Sequence, residues 1–204
     1  MRGKSTLSPD EARHEVILEP SAGPPSFGEI FAREASTEVD LGCGEGTFLA
    51  RVAAQFPERN FLGVENLRGR VRSSCRKMAR AELGNARMVR CDILDALIHL
   101  IPPGSVSAFY LLFPDPWPKR RHHRRRTFTA SFLRLIHGAL RADGLCHVAT
   151  DDVGYFREMK GVLSAQPIFS VMPDALALPP TAFEQKFATR EIYRLSLRKV
   201  SPVR

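Results

Sequence analysis

Four carboxylates stand where short apolar runs end and could do chemistry: Asp40 in VDLGCGEGT, Glu65 in LGVEN, Asp92 in RCDIL and Asp115 in FPDPWPK. An acid at the carboxyl end of a strand in an open α/β sheet faces the ligand crevice. Asp40 can hold an α-ammonium, directly or through water, Glu65 can accept from both ribose hydroxyls, and Asp92 can accept from an adenine amino group. Each alone could equally be a helix N-cap. Between the first strand and the first helix lies Gly42-Cys43-Gly44-Glu45-Gly46, a turn in which the backbone can approach a ligand, followed by the free N–H groups of a helix start. Thr47 stands where the dinucleotide fingerprint needs its third glycine, which argues against NAD or FAD. The set addresses amine, ribose and base but offers no Walker lysine for phosphates, so S-adenosyl-L-methionine is the best candidate cofactor.

Asp115 is locked between Pro114, Pro116 and Pro118, beside Trp117, and Lys119 follows with the run Arg120-Arg121-His122-His123-Arg124-Arg125-Arg126. A rigid acceptor, an aromatic face and adjoining cations are what a nucleobase site with a phosphate backbone requires. The bland alternatives are a turn capped by a core aromatic and a solvated basic surface. His122 and His123 lack acidic or cysteine partners in the run, so phosphate contact is preferred and no metal is expected. Across the chain, 30 Lys plus Arg against 22 Asp plus Glu give a net charge of +8, which favours a polyanionic partner without choosing one.

The elements that must position these residues can be read from periodicity. Residues 1–35 are rich in Ser, Pro, Gly and charge and read as a loosely ordered lead-in, with a turn at 21–25 and a short helix at Phe27–Arg33. From residue 36 a single domain is expected to run to 204. Apolar runs and amphipathic stretches alternate there: EVDLG with TFLARVAAQF, NFLGVE with RGRVRSSCRKMARAEL, ARMVRCD with ILDALIHL, SVSAFYLLF with TFTASFLRLIHGAL, and GLCHVATD with VGYFREMKGVLSA. IFSVM and EIYRLSLRKV supply two more strands, giving an α/β fold of about seven strands, mostly parallel, with helices on both faces. The four cysteines have no CxxC spacing. No apolar run is long enough to cross a bilayer, and the N-terminus shows no secretory pattern, so a cytoplasmic protein without a membrane partner is expected.

The order DLGCGEG, GVE, CD, FPDPWPKRRHHRRR, ATD and TAFEQKF resembles the bacterial tRNA (guanine-N7-)-methyltransferase family over most of the chain, from about Asp40 to Tyr193. The resemblance implies a Rossmann-like class I methyltransferase fold and a guanine in the variable region of tRNA as target. It further implies that Asp40, Gly42, Gly44, Glu65, Asp92 and Asp115 bind the cofactor, with Asp115 also the catalytic position. Lys119, Asp151, Thr181 and Glu184 then match substrate-binding residues, and Arg121, His122, His123, Arg124, Arg125 and Arg126 an RNA-interacting stretch. The chemistry agrees: guanine N7 carries an in-plane lone pair and no proton, so attack on a sulfonium methyl needs positioning rather than a base. Lys119 suits a phosphate or the base O6, and Asp151 suits the guanine N1–H and amino edge or a helix cap. Thr181 and Glu184 have capping-box spacing as well. Other readings are a methyltransferase for another RNA or a small molecule, and a non-catalytic RNA-binding subunit. Whether the chain is a monomer or a homodimer is left open.

Overall fold

A computed structural model of the chain describes residues 6–17, 25–173 and 178–200. The apolar runs of the central segment form β2 (Thr37–Leu41), β3 (Asn60–Glu65), β4 (Ala86–Arg90) and β5 (Val106–Leu112). All of β2 and β3, and β5 up to Leu111, are buried, as parallel strands covered on both faces must be. Between them run α3 (Thr47–Gln55), α4 (Arg68–Arg80) and α5 (Ile93–His99), followed after β5 by a 3₁₀ turn at Arg120–Arg125 and α6 (Ala130–Ala139). The chain continues through β6 (Leu140–Thr150), α7 (Val153–Ser164), β7 (Phe169–Val171), α8 (Ala182–Lys186) and β8 (Tyr193–Lys199).

With β1 (Glu15–Val16) at one edge, the sheet order is β1-β4-β3-β2-β5-β6-β8-β7, parallel except for the antiparallel pairs β6–β8 and β7–β8. Strand order reverses between β2 and β5, so the turns leaving their carboxyl ends diverge and open a crevice. One face of the sheet packs Phe48, Leu49 and Val52 of α3 and Val71, Cys75 and Met78 of α4. The other packs Ala96 and Leu97 of α5, Phe132, Leu133 and Ile136 of α6, and Tyr155 and Met159 of α7. The expected mostly parallel α/β architecture is what is found.

One strand more than expected is present. The amino-terminal segment forms α1 (Pro9–Ala12) and β1 (Glu15–Val16), and β1 pairs in parallel with β4 through Glu15↔Met88 and Val16↔Val89. His14 is buried beside it, with Nδ1 3.0 Å from the Ala86 carbonyl oxygen. Two residues are too few to carry a period, which is why the sequence pattern does not reveal this strand. The short helix expected at Phe27–Arg33 is α2 (Phe27–Phe31), started by a Ser26–Glu29 capping box. The turn expected at 21–25 lies outside the described residues for 21–24.

Candidate methyl-transfer site

The glycine turn is fixed by main-chain bonds. Gly42 N–H and Cys43 N–H both donate to the Val64 carbonyl, at 2.8 and 3.1 Å, and Gly46 N–H donates to Cys43 O at 3.0 Å. Gly42, Gly44 and Gly46 all have positive φ, of 76°, 59° and 64°, a region closed to most side chains. A Cβ on Gly44 would meet nothing within 4 Å, so the turn leaves open space where a ligand could lie against the backbone.

Asp40, the fourth residue of β2, is only 2% exposed and lines the lobe of the crevice formed by Gly42, Gly44, Thr47 and Phe48. Burial, with the nearby charge of Glu65, raises its pKa to about 8. Glu65 closes β3 and is held from two sides: Oε2 accepts Gly44 N–H at 3.1 Å and Oε1 accepts Leu67 N–H at 2.8 Å. Arg70 approaches its Oε2 at 3.7 Å. Asp92 follows β4 and is the N-cap of α5, accepting Leu94 N–H at 2.8 Å, so the capping reading holds for it. Asp92 is exposed and nevertheless lines the second lobe, beside Glu65, Leu67, Cys91 and Ile93. The two open lobes, of about 1140 and 1080 Å³, share Gly42, Arg70, Leu112, Phe113 and Asp115, so they are halves of one crevice. Acid for an ammonium in the first, acids for ribose and amino groups in the second, and bare glycine backbone between them fit S-adenosylmethionine.

Beyond β5 the chain takes an unusual path. Phe113 and Trp117 are both left-handed, with φ of 56° and 44°, an unfavourable conformation for bulky residues that is met where surroundings enforce it. Phe113 stacks on Phe183 of α8 with ring centroids 4.5 Å apart, and Phe183 meets Phe187 at 4.7 Å. Trp117 is covered by the Arg125 guanidinium at 4.9 Å and the His122 ring at 5.8 Å. Asp115, exposed between them, lines both lobes.

The remaining expected residues divide. Thr181 and Glu184 form the capping box that starts α8, Thr181 lines the crevice, and Glu184 turns away to pair with Arg194. The cap of α7 is Asp152, accepting Tyr155 N–H at 2.7 Å, whereas Asp151 pairs with Arg190, whose guanidinium covers Phe187 at 4.5 Å. Lys119, Arg121 and Arg124 are exposed along the 3₁₀ turn, and Arg125 reaches the crevice. Arg126 does not belong with them: it is 7% exposed, its Nε donates to Pro116 O at 2.7 Å, it pairs with Glu158, and it covers the Tyr155 ring. The structure gives Arg126 the task of clamping the loop to α7. His123 Nδ1 stands 3.8 Å from Glu158 Oε2. Among the described residues, no group of three or more His, Cys, Asp or Glu could hold a metal ion. Sequence reasoning missed Arg70 and Arg190: nothing in the sequence singles Arg70 out from the other arginines of α4, and Arg190 stands in no pattern.

The family described as "Putative methyltransferase" matches residues 34–197. A tRNA (guanine-N(7)-)-methyltransferase of Alkalilimnicola ehrlichii is 40% identical over 149 residues, which are 72% of this chain and 63% of that protein, so the match spans less than two thirds of that relative. One from Shewanella sp. (strain W3-18-1) is 36% identical over 176 residues, 83% of this chain and 74% of that protein. Among solved structures, the 16S rRNA methyltransferase KamB superposes with a TM-score of 0.63 at 16% identity, covering 86% of this chain and 93% of that one. The tRNA (m1A58) methyltransferase TrmI of Aquifex aeolicus gives 0.57 at 14% identity, over 81% and 63% of the two chains, and like KamB it speaks for the fold alone. On the family match and the identities together, this chain belongs to the tRNA (guanine-N(7)-)-methyltransferase family.

Proposed function

We propose that the protein transfers a methyl group from S-adenosyl-L-methionine to N7 of a guanine in the variable region of tRNA, in the cytoplasm. The observation that carries this reading is the shared position of Asp115: one exposed carboxylate, fixed between left-handed Phe113 and Trp117, bordering both lobes of the crevice. When bound, the cofactor supplies an electrophilic methyl on a sulfonium. Asp40 holds its ammonium, Glu65 its ribose and Asp92 its adenine amino group, while the Gly42–Gly46 turn receives it along the backbone. Asp115 orients the guanine and offsets the positive charge that N7 methylation places on the ring. No general base is needed, because N7 has no proton to lose. Lys119, Arg121, His122, His123, Arg124 and Arg125 face the phosphates, and Asp151 and Thr181 border the substrate side.

Incubation of the pure protein with methyl-labelled cofactor and unmodified tRNA tests the reading. Label released by chemical cleavage at 7-methylguanine in the variable region is expected. Label elsewhere in the RNA, or only in a small molecule, would overturn it.

A further inference from the structure

Helix α4 breaks the local rules that stabilise a helix. Arg68, Arg72, Arg76 and Arg80 recur at every fourth position and so stand in one row, like charge beside like charge. Its first turn holds Arg68 and Arg70 but no acid, against the positive end of the helix dipole, and its N-cap Leu67 makes no side-chain cap. Packing does not require the row, because the buried face is Val71, Ser74, Cys75 and Met78. Arg76 has a carboxylate partner in Glu11 at 3.8 Å, but among the described residues no ion pair engages Arg68, Arg72 or Arg80. A charge arrangement that costs stability, and in which Arg68, Arg72 and Arg80 gain no ion-pair partner among the described residues, points to a partner outside the chain.

The row also starts at the right place. Leu67, the residue before Arg68, lines the same lobe as Trp117 and Arg125, so the amino-terminal end of the row stands at the rim of the crevice that the 3₁₀ turn also borders. From there it runs about 18 Å along the helix, at 1.5 Å per residue. We infer that the arginine row of α4 is a second RNA-backbone surface, which binds phosphates of the substrate tRNA beyond the Leu67 end of the crevice. The inference rests on tRNA being the substrate, and adds a surface that the basic run at 120–126 does not include.

The triple variant Arg68→Gln, Arg72→Gln, Arg80→Gln tests it, leaving Arg70 and Arg76 with their partners. Binding of full-length tRNA is expected to weaken at least tenfold at low salt, with the log-affinity against log-salt slope reduced by about 2, since each lost phosphate contact removes about 0.7–0.9. Affinity for S-adenosylhomocysteine should stay at the wild-type value, and the corresponding Arg→Lys triple should restore the slope. An unchanged slope in the Gln variant, or loss of binding to anionic vesicles with tRNA binding intact, would overturn the inference. Methyl transfer by the wild-type protein, assayed in parallel, separates the two readings: transfer with an unchanged slope removes only the surface, whereas a reduced slope without transfer to guanine N7 removes only the proposed reaction.

Discussion

The two walls of the crevice are built in opposite ways. On the wall proposed to bind the cofactor, Asp40 and Glu65 are buried and the main chain does the fixing: Asp40 lies inside a central strand, Glu65 is held by two backbone N–H groups, and the glycine turn is bonded to Val64 O. On the wall proposed to face the substrate, the groups are carried by loops and fastened by side chains, through the Phe113–Phe183 stack, the Arg125–Trp117 contact and the Asp151–Arg190 pair. The cofactor wall is therefore a property of the fold, and the substrate wall is a sum of separate contacts. Substitutions on the first should alter cofactor binding as a block; those on the second should affect rate, RNA affinity or loop stability one at a time.

The sharpest way to break this contrast is at Asp115. Asp115→Asn keeps the loop, which prolines and stacking hold, and removes the charge. Turnover should fall by about 10²-fold or more, on the scale of one preorganised electrostatic group, with tRNA affinity almost unchanged. Single-turnover rates and binding on one preparation decide it; a variant that turns over normally, or merely binds tRNA poorly, gives Asp115 a different role.

Next in size is Asp40, on the buried wall. With its pKa near 8 in the ligand-free protein, Asp40 holds its proton at neutral pH and must release it to receive an ammonium. Cofactor affinity should thus rise up to tenfold per pH unit towards pH 8 and then level. Asp40→Asn should flatten that dependence and weaken binding by about 1–3 kcal/mol, as read by calorimetry. The sign for stability is opposite. Between about pH 4 and 8 the folded state keeps a proton that the unfolded state has lost, so this carboxyl destabilises the protein progressively as pH rises. The Asn variant should accordingly melt higher than wild type at pH 8. A pH-independent affinity in wild type would detach Asp40 from the ammonium.

Arg126 and its neighbours test whether substrate-wall contacts are separable. Arg126→Ala should lower stability by about 1–3 kcal/mol, the range for hydrogen bonds to charged groups, visible as a lower melting temperature. Arg124→Ala with Arg125→Ala should lower melting less than Arg126→Ala, since only the Arg125–Trp117 contact is lost, and reduce the salt slope of tRNA binding by about 1.5. If the double variant melts like Arg126→Ala, the run acts as one structural unit and the distinction fails. Smallest is Thr181→Ala, which removes the N-cap of α8 at a cost of about 1 kcal/mol. Because Phe183 follows in that helix, the loss should appear as a raised KM for tRNA with kcat nearly kept.

The parts of the molecule most legible in sequence are those whose physics is local. The parallel strands announce themselves as apolar runs because both faces are covered, and the glycine turn does so because three positive φ angles admit few other residues. The acids at 40, 65 and 92 were legible as a set, although only the structure separates the buried Asp40 from the capping Asp92. The composite contacts were not legible. Arg126 reads like Arg124 and Arg125 until Glu158, 32 positions later, folds against it. Arg190 gains its meaning only from Asp151 and Phe187. Strand β1 owes its place to the exposed edge of β4 rather than to any periodicity of its own.

That small strand carries a colloidal consequence. Without it, β4 would be the margin of the sheet and would offer a row of unpaired N–H and C=O groups to any other extended chain. Its protection comes from a short stretch in which His14 O accepts Met88 N–H at 2.7 Å and Glu15 and Val16 add the paired register. Opening this stretch would sacrifice little of the core yet turn a closed margin into an adhesive one, and self-association through β4 is the failure that a shortened amino terminus would bring.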